Sequence, residues 1–297
     1  MTGETVGRRE FLRSAVHGCA ALLALPRAPE ALRVALVTSA GAGAASGGRG
    51  VTLGVEEAAR TGALFGQRIE LRTVAAGAAE RLVRAERPTA LIGGWDPASA
   101  RALGALADAA GVLFLNAGSP ADALRGAECR RNVFHVEASD AMYRDALAGD
   151  AGGATRAVLW HPALERFGAA QLNDRFRARF HTAMDGPAWA GWMAVKLLWE
   201  ASLRARTTDP AGVRAWLERE GTQLDGHKGW PLSFRAWDHQ LRQPLYRVAP
   251  AAGGGTRLVG EVPTRAPDAA GSSRELLDRL GAGPSTSTCR RIHGGKP

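Results

Sequence analysis

The sequence predicts an α/β protein organised around a doubly wound parallel sheet. In the first half of the chain, short apolar and β-branched runs alternate with segments whose apolar residues recur at helical spacing. This alternation is typical of strand-helix-strand units, whose right-handed crossovers bring the carboxyl ends of all strands to one edge of the sheet. Hydrophobic residues make up 45% of the 297 positions, so the chain can bury the core of one large domain or two small ones.

Five strands with intervening helices are predicted before residue 148. The predicted strands are residues 33–39, 67–74, 89–94, 112–116 and 132–137. The predicted helices are residues 51–65, 78–87 and 97–110, followed by one that ends near residue 148. Residues 41–50 are rich in glycine and predict a loop. Asp96 is the expected N-cap of the third helix, with Pro97 at its first position and Gly111 at its end.

The second half of the chain is richer in tryptophan and in helical segments. Helices are predicted over residues 162–180, 187–206 and 210–220. One face of the middle helix carries a stripe of apolar side chains: Trp189, Trp192, Val195, Trp199 and Leu203. Such a stripe is typical of core packing and less often of a ligand cage. Residues 229–240 and 243–248 predict a pair of β-hairpins. From residue 251 onward Gly, Pro, Ser and Thr prevail, which predicts a linker-like tail with one short helix at residues 273–280.

The first thirty residues predict an export signal. Arg8 and Arg9 precede a Phe-Leu pair, and residues 15–25 form a short apolar stretch, an order that resembles the twin-arginine class of signals. Cleavage is expected near residues 28–31, which places the mature protein in the periplasm. The alternative is an ordinary amphipathic N-terminal helix. A lipoprotein signal at Cys19 is disfavoured because it leaves too short an apolar region.

Charge and hydropathy argue against two classes of partner. The 38 Lys and Arg residues exceed the 29 Asp and Glu residues, for a formal net charge of +9. Nearly all the cations are arginines scattered among acidic residues, whereas a nucleic-acid-binding protein usually gathers its cations into a stripe. No apolar run reaches the roughly 20 residues that a membrane span requires. We therefore expect a soluble mature chain that binds no nucleic acid.

The usual signatures of catalysis are missing from the sequence. The spacing of Gly41, Gly43 and Gly47 fits a dinucleotide-binding loop poorly, and the second strand does not end in the acid that would hold a ribose. No nucleophile elbow, zinc-protease motif or Cys-x-x-Cys pair occurs. The seven histidines show no paired spacing. We expect no enzymatic activity, no cofactor and no metal site.

Two cysteines, Cys129 and Cys289, remain once the signal is removed. In an oxidising compartment such a pair is more often a disulfide than a metal site or a nucleophile. The bond would attach the C-terminal tail to the body of the protein. The alternative is two unrelated free thiols.

Several short sequence segments, in their order along the chain, resemble those of a known family. Residues 91–99 (LIGGWDPAS) and 111–119 (GVLFLNAGS), following the predicted signal and first strand, are similar to type I periplasmic binding proteins, above all the branched-chain amino-acid class that serves ABC importers. Residues 129–136 and 140–147 are similar to a subgroup associated with quinoprotein (PQQ-dependent) alcohol oxidation. The resemblance covers residues 31–148 well and residues 156–250 more loosely.

The resemblance implies a ligand site at the carboxyl edge of the first lobe, where hydroxyls and backbone N–H groups receive the ligand's carboxylate. Ser99 and Ser119 would supply hydroxyls, Asn116 belongs to the same loop as Ser119, and Trp95 would cover apolar ligand surface. Asp96 departs from the small or hydroxylated residues expected there and would disfavour a carboxylate unless it paired with the ligand's ammonium. The alternative role for Asp96 and Ser119 is helix N-capping.

The spacing of the matching segments implies that most of the second lobe is missing. Only residues 149–155 separate the first lobe from the next predicted strand, and residues 165–173 already resemble the far end of a second domain. The expected organisation is a first lobe at residues 31–148, joined by helices at 186–220. A reduced second lobe would comprise the other residues between 149 and 250, and a tail would follow at residues 251–297.

Two functions are compatible with this sequence. One is the substrate-binding component of an ABC import system, which binds an amino-acid-like or other small metabolite and delivers it to a permease. The other is a degenerate binding protein that acts as an accessory factor of a periplasmic PQQ-dependent alcohol dehydrogenase. Loss of a lobe would bare apolar surface, which would then need a protein partner or a second copy of the chain.

Overall fold

The computed structural model describes residues 31–149, 153–264, 272–290 and 292. The predicted export signal at residues 1–30 lies outside the described residues, as does part of the predicted C-terminal tail. Within the described residues no helix is both long enough and apolar enough to span a membrane.

A five-stranded parallel sheet forms the centre of the molecule. Its strands are β1 (Leu32–Thr38), β2 (Ile69–Ala75), β3 (Ala90–Gly93), β4 (Leu113–Asn116) and β5 (Val133–His135). Their order across the sheet is β2-β1-β3-β4-β5, and every neighbouring pair is parallel. Successive residues of β1 enter opposite cores: Val34 packs on one face and Ala35 on the other. The predicted doubly wound α/β fold is confirmed.

Helices cover both faces of this sheet. They are α1 (Ala42–Phe65), α2 (Ala79–Glu86), α3 (Pro97–Ala110), α4 (Asp140–Ala146), α5 (Ala169–Phe180), α6 (Gly186–Ala205), α7 (Pro210–Leu217) and α8 (Ser273–Leu277). Helices α1 and α6 share one core with the sheet, and α2 and α3 share the other. The tryptophan stripe of α6 is buried in the first of these cores, as predicted. Helix α3 begins and ends where the sequence predicts, between the Asp96 cap and Gly111.

Helix α1 begins at Ala42, so the loop predicted over residues 41–50 is wrong. The glycines there serve a close crossing between α1 and α6. A Cβ atom on Gly50 would lie 1.9 Å from the carbonyl oxygen of Ala188, and one on Gly191 would lie 2.2 Å from the carbonyl oxygen of Gly47. Only glycine allows the two backbones to approach so closely, and this requirement explains the glycine content better than a loop does.

Helix α5 begins at Ala169, seven residues later than expected. Gly168 precedes it with a φ of 87°, and Phe167 has a φ of 59°. Two consecutive residues in the left-handed region cannot continue a right-handed helix. The residues between Pro162 and Gly168 therefore form a loop.

The second half of the chain adds two small antiparallel sheets. Its strands are β6 (Arg156–Val158), β7 (Leu224–Asp225), β8 (Pro231–Phe234), β9 (Leu241–Arg242), β10 (Leu245–Pro250) and β11 (Thr256–Val262). One sheet has the order β11-β10-β6 and the other β7-β8-β9. Strand β11 lies in the segment predicted to be a linker-like tail, so that expectation is wrong for residues 256–262. Strand β10 pairs with β11 along the whole length of β10. This pairing makes residues 256–262 the edge strand of the sheet.

Cys129 and Cys289 form a disulfide, as predicted. The bond joins residues 160 positions apart in the sequence. Ile292 packs against it. The C-terminal segment is thereby fixed beside the loop that precedes β5.

We expect Gly50→Ala to lower the free energy of unfolding by about 3 kcal/mol, because the new methyl group would overlap the Ala188 carbonyl and overpacking costs about 1–3 kcal/mol or more. The matched control is Gly43→Ala in the same helix, where the nearest atom to the new methyl group lies 3.9 Å away. The control should gain up to about 1 kcal/mol from the lower backbone entropy of alanine. Urea unfolding measures both values. Equal stabilities for the two variants would contradict the close crossing.

Loss of the disulfide should lower the free energy of unfolding by about 2–5 kcal/mol, because the bond restricts the unfolded chain. The test is the melting temperature of the wild type with and without reductant, beside that of the Cys129→Ser/Cys289→Ser double variant. Reductant should lower the wild-type value toward that of the double variant and leave the double variant unchanged. A wild type indifferent to reductant would count against this stabilisation.

Candidate functional site

The five predicted site residues lie at the carboxyl edge of the parallel sheet. Trp95, Asp96 and Ser99 follow β3, and Asn116 and Ser119 end or follow β4. The sheet changes direction of winding between β1 and β3, and ligands of open α/β sheets bind beside such a switch point. The structure thus brings the two predicted loops together, and their side-chain contacts show what each residue does.

Trp95 packs between helix α1 and the loop that follows β4. Its indole Nε1 donates to the carbonyl oxygen of Val37 at 2.9 Å. A Cβ atom on Gly47 would lie 2.0 Å from the Trp95 ring, and one on Gly118 would lie 2.7 Å from it. The indole therefore packs directly against both glycines and closes the crevice at the switch point.

Asp96 and Ser99 form a reciprocal cap at the start of α3. The Asp96 Oδ1 accepts from the Ser99 N–H at 2.9 Å, and the Ser99 Oγ accepts from the Asp96 N–H at 3.3 Å. The hydrogen bond from the Ser99 backbone lowers the pKa of Asp96. The capping role considered for Asp96 is thus present in the structure.

Asn116 and Ser119 are fully buried and bond within their own loop. The Asn116 Nδ2 donates to the Ser119 carbonyl at 2.8 Å, and its Oδ1 accepts from the Ser119 N–H at 3.0 Å. The ring of His135 lies 3.1 Å from the same Nδ2, and burial lowers the pKa of His135 well below its ordinary value. The Ser119 Oγ makes no hydrogen bond among the described residues, so the N-cap alternative for Ser119 is wrong.

A cavity of about 470 Å³, here called the edge cavity, opens farther along the same side of the molecule. Its wall includes Glu137, Tyr143, Trp160, His161, Asp185 and Thr256. These residues come from the end of β5, from α4, from the loop after β6, from the start of α6 and from β11. None of the five predicted site residues lines it.

Glu137 is the most buried charged group of the edge cavity, with 6% of its surface exposed. Its Oε1 accepts from the Tyr143 hydroxyl at 2.5 Å and from the Ala138 N–H at 2.9 Å. Its Oε2 accepts no hydrogen bond from the part of the chain that the structure describes. Burial raises the pKa of Glu137 to about 7, although the Tyr143 hydrogen bond and the charge of Arg125 both act in the opposite direction.

A buried polar cluster fixes the backbone of Glu137. The Arg125 Nη2 donates to the Glu137 carbonyl at 2.6 Å, and the Gln240 Nε2 donates to the same oxygen at 3.0 Å. The Arg125 Nε donates to the Gln240 Oε1 at 2.6 Å. The small sheet β7-β8-β9 is thereby joined to the edge of the parallel sheet, and Glu137 is held at the junction.

The opposite wall of the edge cavity begins at the N-cap of α6. The Asp185 Oδ1 accepts from the Ser46 hydroxyl at 2.5 Å and from the Ala188 N–H at 3.0 Å. The His161 Nδ1 accepts from the Ala163 N–H at 3.2 Å. No lysine or arginine occurs among the described residues that line the cavity. The cavity therefore presents two carboxylates and aromatic side chains.

Sequence reasoning missed Glu137 and Asp185. Glu137 is the last residue of the predicted strand 132–137, so an acidic residue at a strand's carboxyl end was the available signal. Asp185 precedes the proline-initiated helix α6, which marks it as an N-cap. Only the folded chain places the two acids in one cavity. The described residues contain no group of three or more His, Cys, Asp and Glu that could hold a metal ion.

A second cavity, of about 820 Å³, lies between β11 and the loop before α5. Its wall includes Phe167, Val259 and the buried Lys228. The Lys228 Nζ donates to the Gln243 Oε1 at 2.9 Å and to the Pro244 carbonyl at 3.1 Å, and it lies 3.8 Å from the centre of the Trp189 ring. These three contacts use the ammonium group within the protein.

No protein-family model and no curated protein matches this sequence. Solved structures do match its fold. A periplasmic binding protein from Burkholderia mallei is 12% identical with a TM-score of 0.69, over 87% of this chain and 98% of that chain. The fold is that of the type I periplasmic binding proteins.

Two further binding proteins of this fold were solved with ligands. The branched-chain amino acid transporter substrate-binding protein from Streptococcus pneumoniae, in complex with isoleucine, is 14% identical with a TM-score of 0.65, over 77% of this chain and 99% of that chain. An ABC-transporter solute-binding protein from R. palustris, in complex with benzoate, is 15% identical with a TM-score of 0.65, over 88% of this chain and all of that chain. The resemblance seen in the sequence is confirmed for the fold of the binding proteins, and the PQQ-associated subgroup stays a prediction.

Glu137→Gln should make the stability of the protein less sensitive to pH. Because burial raises the pKa of Glu137 from 4.5 to about 7, its contribution to stability is complete below pH 4.5 and is lost as the pH rises through 7. Relative to the Gln variant, the wild type should therefore lose up to about 3 kcal/mol between pH 4.5 and pH 8. Urea unfolding at several pH values measures the difference.

Tyr143→Phe supplies the matched comparison. The substitution removes the hydroxyl whose hydrogen bond lowers the pKa of Glu137. The fall in stability should therefore extend to higher pH than in the wild type. If the wild type and Glu137→Gln differ in free energy of unfolding by the same amount at every pH, Glu137 does not titrate in this range.

Proposed function

We propose that the protein is the periplasmic substrate-binding component of an ABC-type import system. It binds an amino-acid-like or other small metabolite without covalent chemistry and presents it to a permease. The edge cavity carries this proposal. It lies in a chain with a binding-protein fold and contains a buried carboxylate, Glu137, whose Oε2 accepts no hydrogen bond from the described residues. Its volume of about 470 Å³ falls within the range of about 300–1,000 Å³ that small-molecule sites occupy.

Export to the periplasm is part of the same proposal. The twin-arginine pattern of residues 1–30, with cleavage near residues 28–31, supports it, and so does the fold shared with periplasmic binding proteins. The Cys129–Cys289 disulfide is consistent with an oxidising compartment.

The two small antiparallel sheets are, in this proposal, what remains of a second lobe. Binding proteins of two full lobes close about a hinge and bury the ligand between them. A smaller second lobe covers less of the ligand, so the ligand stays partly solvated and its affinity is modest. The loops of Trp95, Asp96, Ser99, Asn116 and Ser119 lie outside the edge cavity, and direct ligand contact by these residues stays a prediction.

A second candidate function is favoured by the position of Trp95. Its indole closes the crevice at the switch point, where the resemblance places the ligand. A degenerate binding protein of this kind would act as an accessory factor of a periplasmic PQQ-dependent alcohol dehydrogenase. Phe167 and Val259, which are 48% and 46% exposed beside the larger cavity, would contribute to a protein interface or to a homodimer.

A thermal-shift screen of the protein purified from the periplasm tests the first function against the second. The compounds are amino acids, amines, alcohols, aldehydes, organic acids and PQQ, and the mass in solution is recorded alongside. A working receptor should show a saturable rise in melting temperature, since a ligand at 100 times its Kd adds about 2.7 kcal/mol of stability. No shift with any compound, together with a dimer or a copurifying dehydrogenase, would refute the receptor and support the accessory factor.

A further inference from the structure

We propose that the edge cavity selects an organic amine that lacks a carboxylate, and that the ligand's ammonium pairs with Glu137. This inference rests on the proposed solute-binding function and specifies its substrate class.

The Glu137 carboxylate is buried, and its hydrogen bonding among the described residues is incomplete. The side chain is 94% removed from solvent, yet only its Oε1 has hydrogen-bond partners among the described residues. Arg125 is nearby, but its three guanidinium nitrogens donate to the Gln240 side chain and to backbone carbonyls, including that of Glu137. A buried carboxylate is costly unless it is paired and hydrogen-bonded. A donor that enters from the cavity would complete its hydrogen bonding.

The charged side chains that line the edge cavity are negative. Its wall holds the carboxylates of Glu137 and Asp185, and no lysine or arginine among the described residues. The start of α6 would attract an anion, but Asp185 already accepts the Ala188 N–H and Pro187 has no N–H to offer. Arg125 and Lys228 act on Glu137 from within the protein but do not line this wall, so the groups that a ligand meets directly favour a cation over an anion.

Most of the remaining wall of the edge cavity is apolar. Tyr143 and Val158 provide aromatic and aliphatic surface, and the almost fully buried Trp160 and Leu159 lie in the same wall. Aromatic faces attract ammonium groups, and the aliphatic groups accept a hydrocarbon substituent. A ligand with one ammonium and one apolar group matches both features.

An amino acid would bring a carboxylate next to the two acids of the edge cavity, Glu137 and Asp185. No lysine or arginine among the described lining residues would neutralise that carboxylate. The two loops that the resemblance assigns to carboxylate binding do not line this cavity, so they supply no donor to its wall.

Affinity for an amine should rise with pH. The titratable and charged groups around Glu137 are Arg125, Tyr143 and Lys228, which act on its pKa, and Asp185 and His161, which share the cavity wall. Burial raises the pKa of Glu137 to about 7, and an aliphatic ammonium stays charged at this pH. The carboxylate that pairs with the ligand is thus fully formed only above pH 7, so the Kd should fall about tenfold from pH 6 to pH 8.

Isothermal titration calorimetry of the full chain tests the inference with matched probes. Phenethylamine, phenethyl alcohol, phenylacetate and L-phenylalanine share one aromatic group, and isopentylamine and L-leucine share one aliphatic group. Each amine should bind at least tenfold more tightly than its alcohol, acid or amino-acid counterpart.

Glu137→Gln should weaken amine binding at least tenfold and abolish its pH dependence. The control is Glu128→Gln, which removes the same charge from a glutamate outside the cavity that pairs with Arg101, and its amine affinity should equal that of the wild type. Circular dichroism at each pH verifies that both variants are folded.

Two results would overturn the inference, and they differ in what they say of the proposed function. If an alcohol, acid or amino acid binds as tightly as the amine, or if Glu137→Gln binds the amine normally, the receptor stands and amine selection is wrong. If no probe and no compound of the broader screen binds, solute binding itself is wrong.

Discussion

The close crossing of α1 and α6 is the constraint on which the rest of the structure depends. Gly50 and Gly191 let the two backbones meet without intervening side chains. A helix from the second half of the chain thereby covers the sheet built from the first half, and α6 starts at the carboxyl edge of that sheet. Asp185, the N-cap of α6, consequently lies within reach of Ser46. Wider separation of these helices would break that contact and enlarge the edge cavity.

A polar contact between the parallel sheet and the β7-β8-β9 sheet complements the apolar crossing of α1 and α6. Arg125 and Gln240 bind the Glu137 carbonyl and join the β7-β8-β9 sheet to β5. Hydrogen bonds of this kind specify one arrangement because any displacement leaves buried donors unpaired. The same arginine donates to the Gln240 side chain and to backbone oxygens, and it does not bind the Glu137 carboxylate. The architecture thus stabilises the fold around Glu137 while its carboxylate remains available to the cavity.

Local signals predicted most of the fold, and long-range contacts account for what they missed. Helix α3 was predicted to the residue because Asp96, Pro97 and Gly111 act within their own segment. The glycines of residues 41–50 look the same in a loop and in a close helix crossing, and only the distant Ala188 distinguishes the two. Strand β11 depends on β10 in the same way. For the candidate site, the sequence pointed to the correct sheet edge, but Glu137 and Asp185 meet only after α6 returns to the sheet.

The disulfide has a consequence for the durability of the chain. It joins two residues that are 160 positions apart in the sequence, and the stretch between them contains both small sheets, α4 to α8 and most of the edge cavity. A protease that cuts any single exposed loop within this stretch leaves both pieces covalently attached. The nicked protein keeps its two halves at high local concentration, and they can stay assembled where an unlinked pair would separate. The bond therefore protects against backbone cleavage as well as against unfolding.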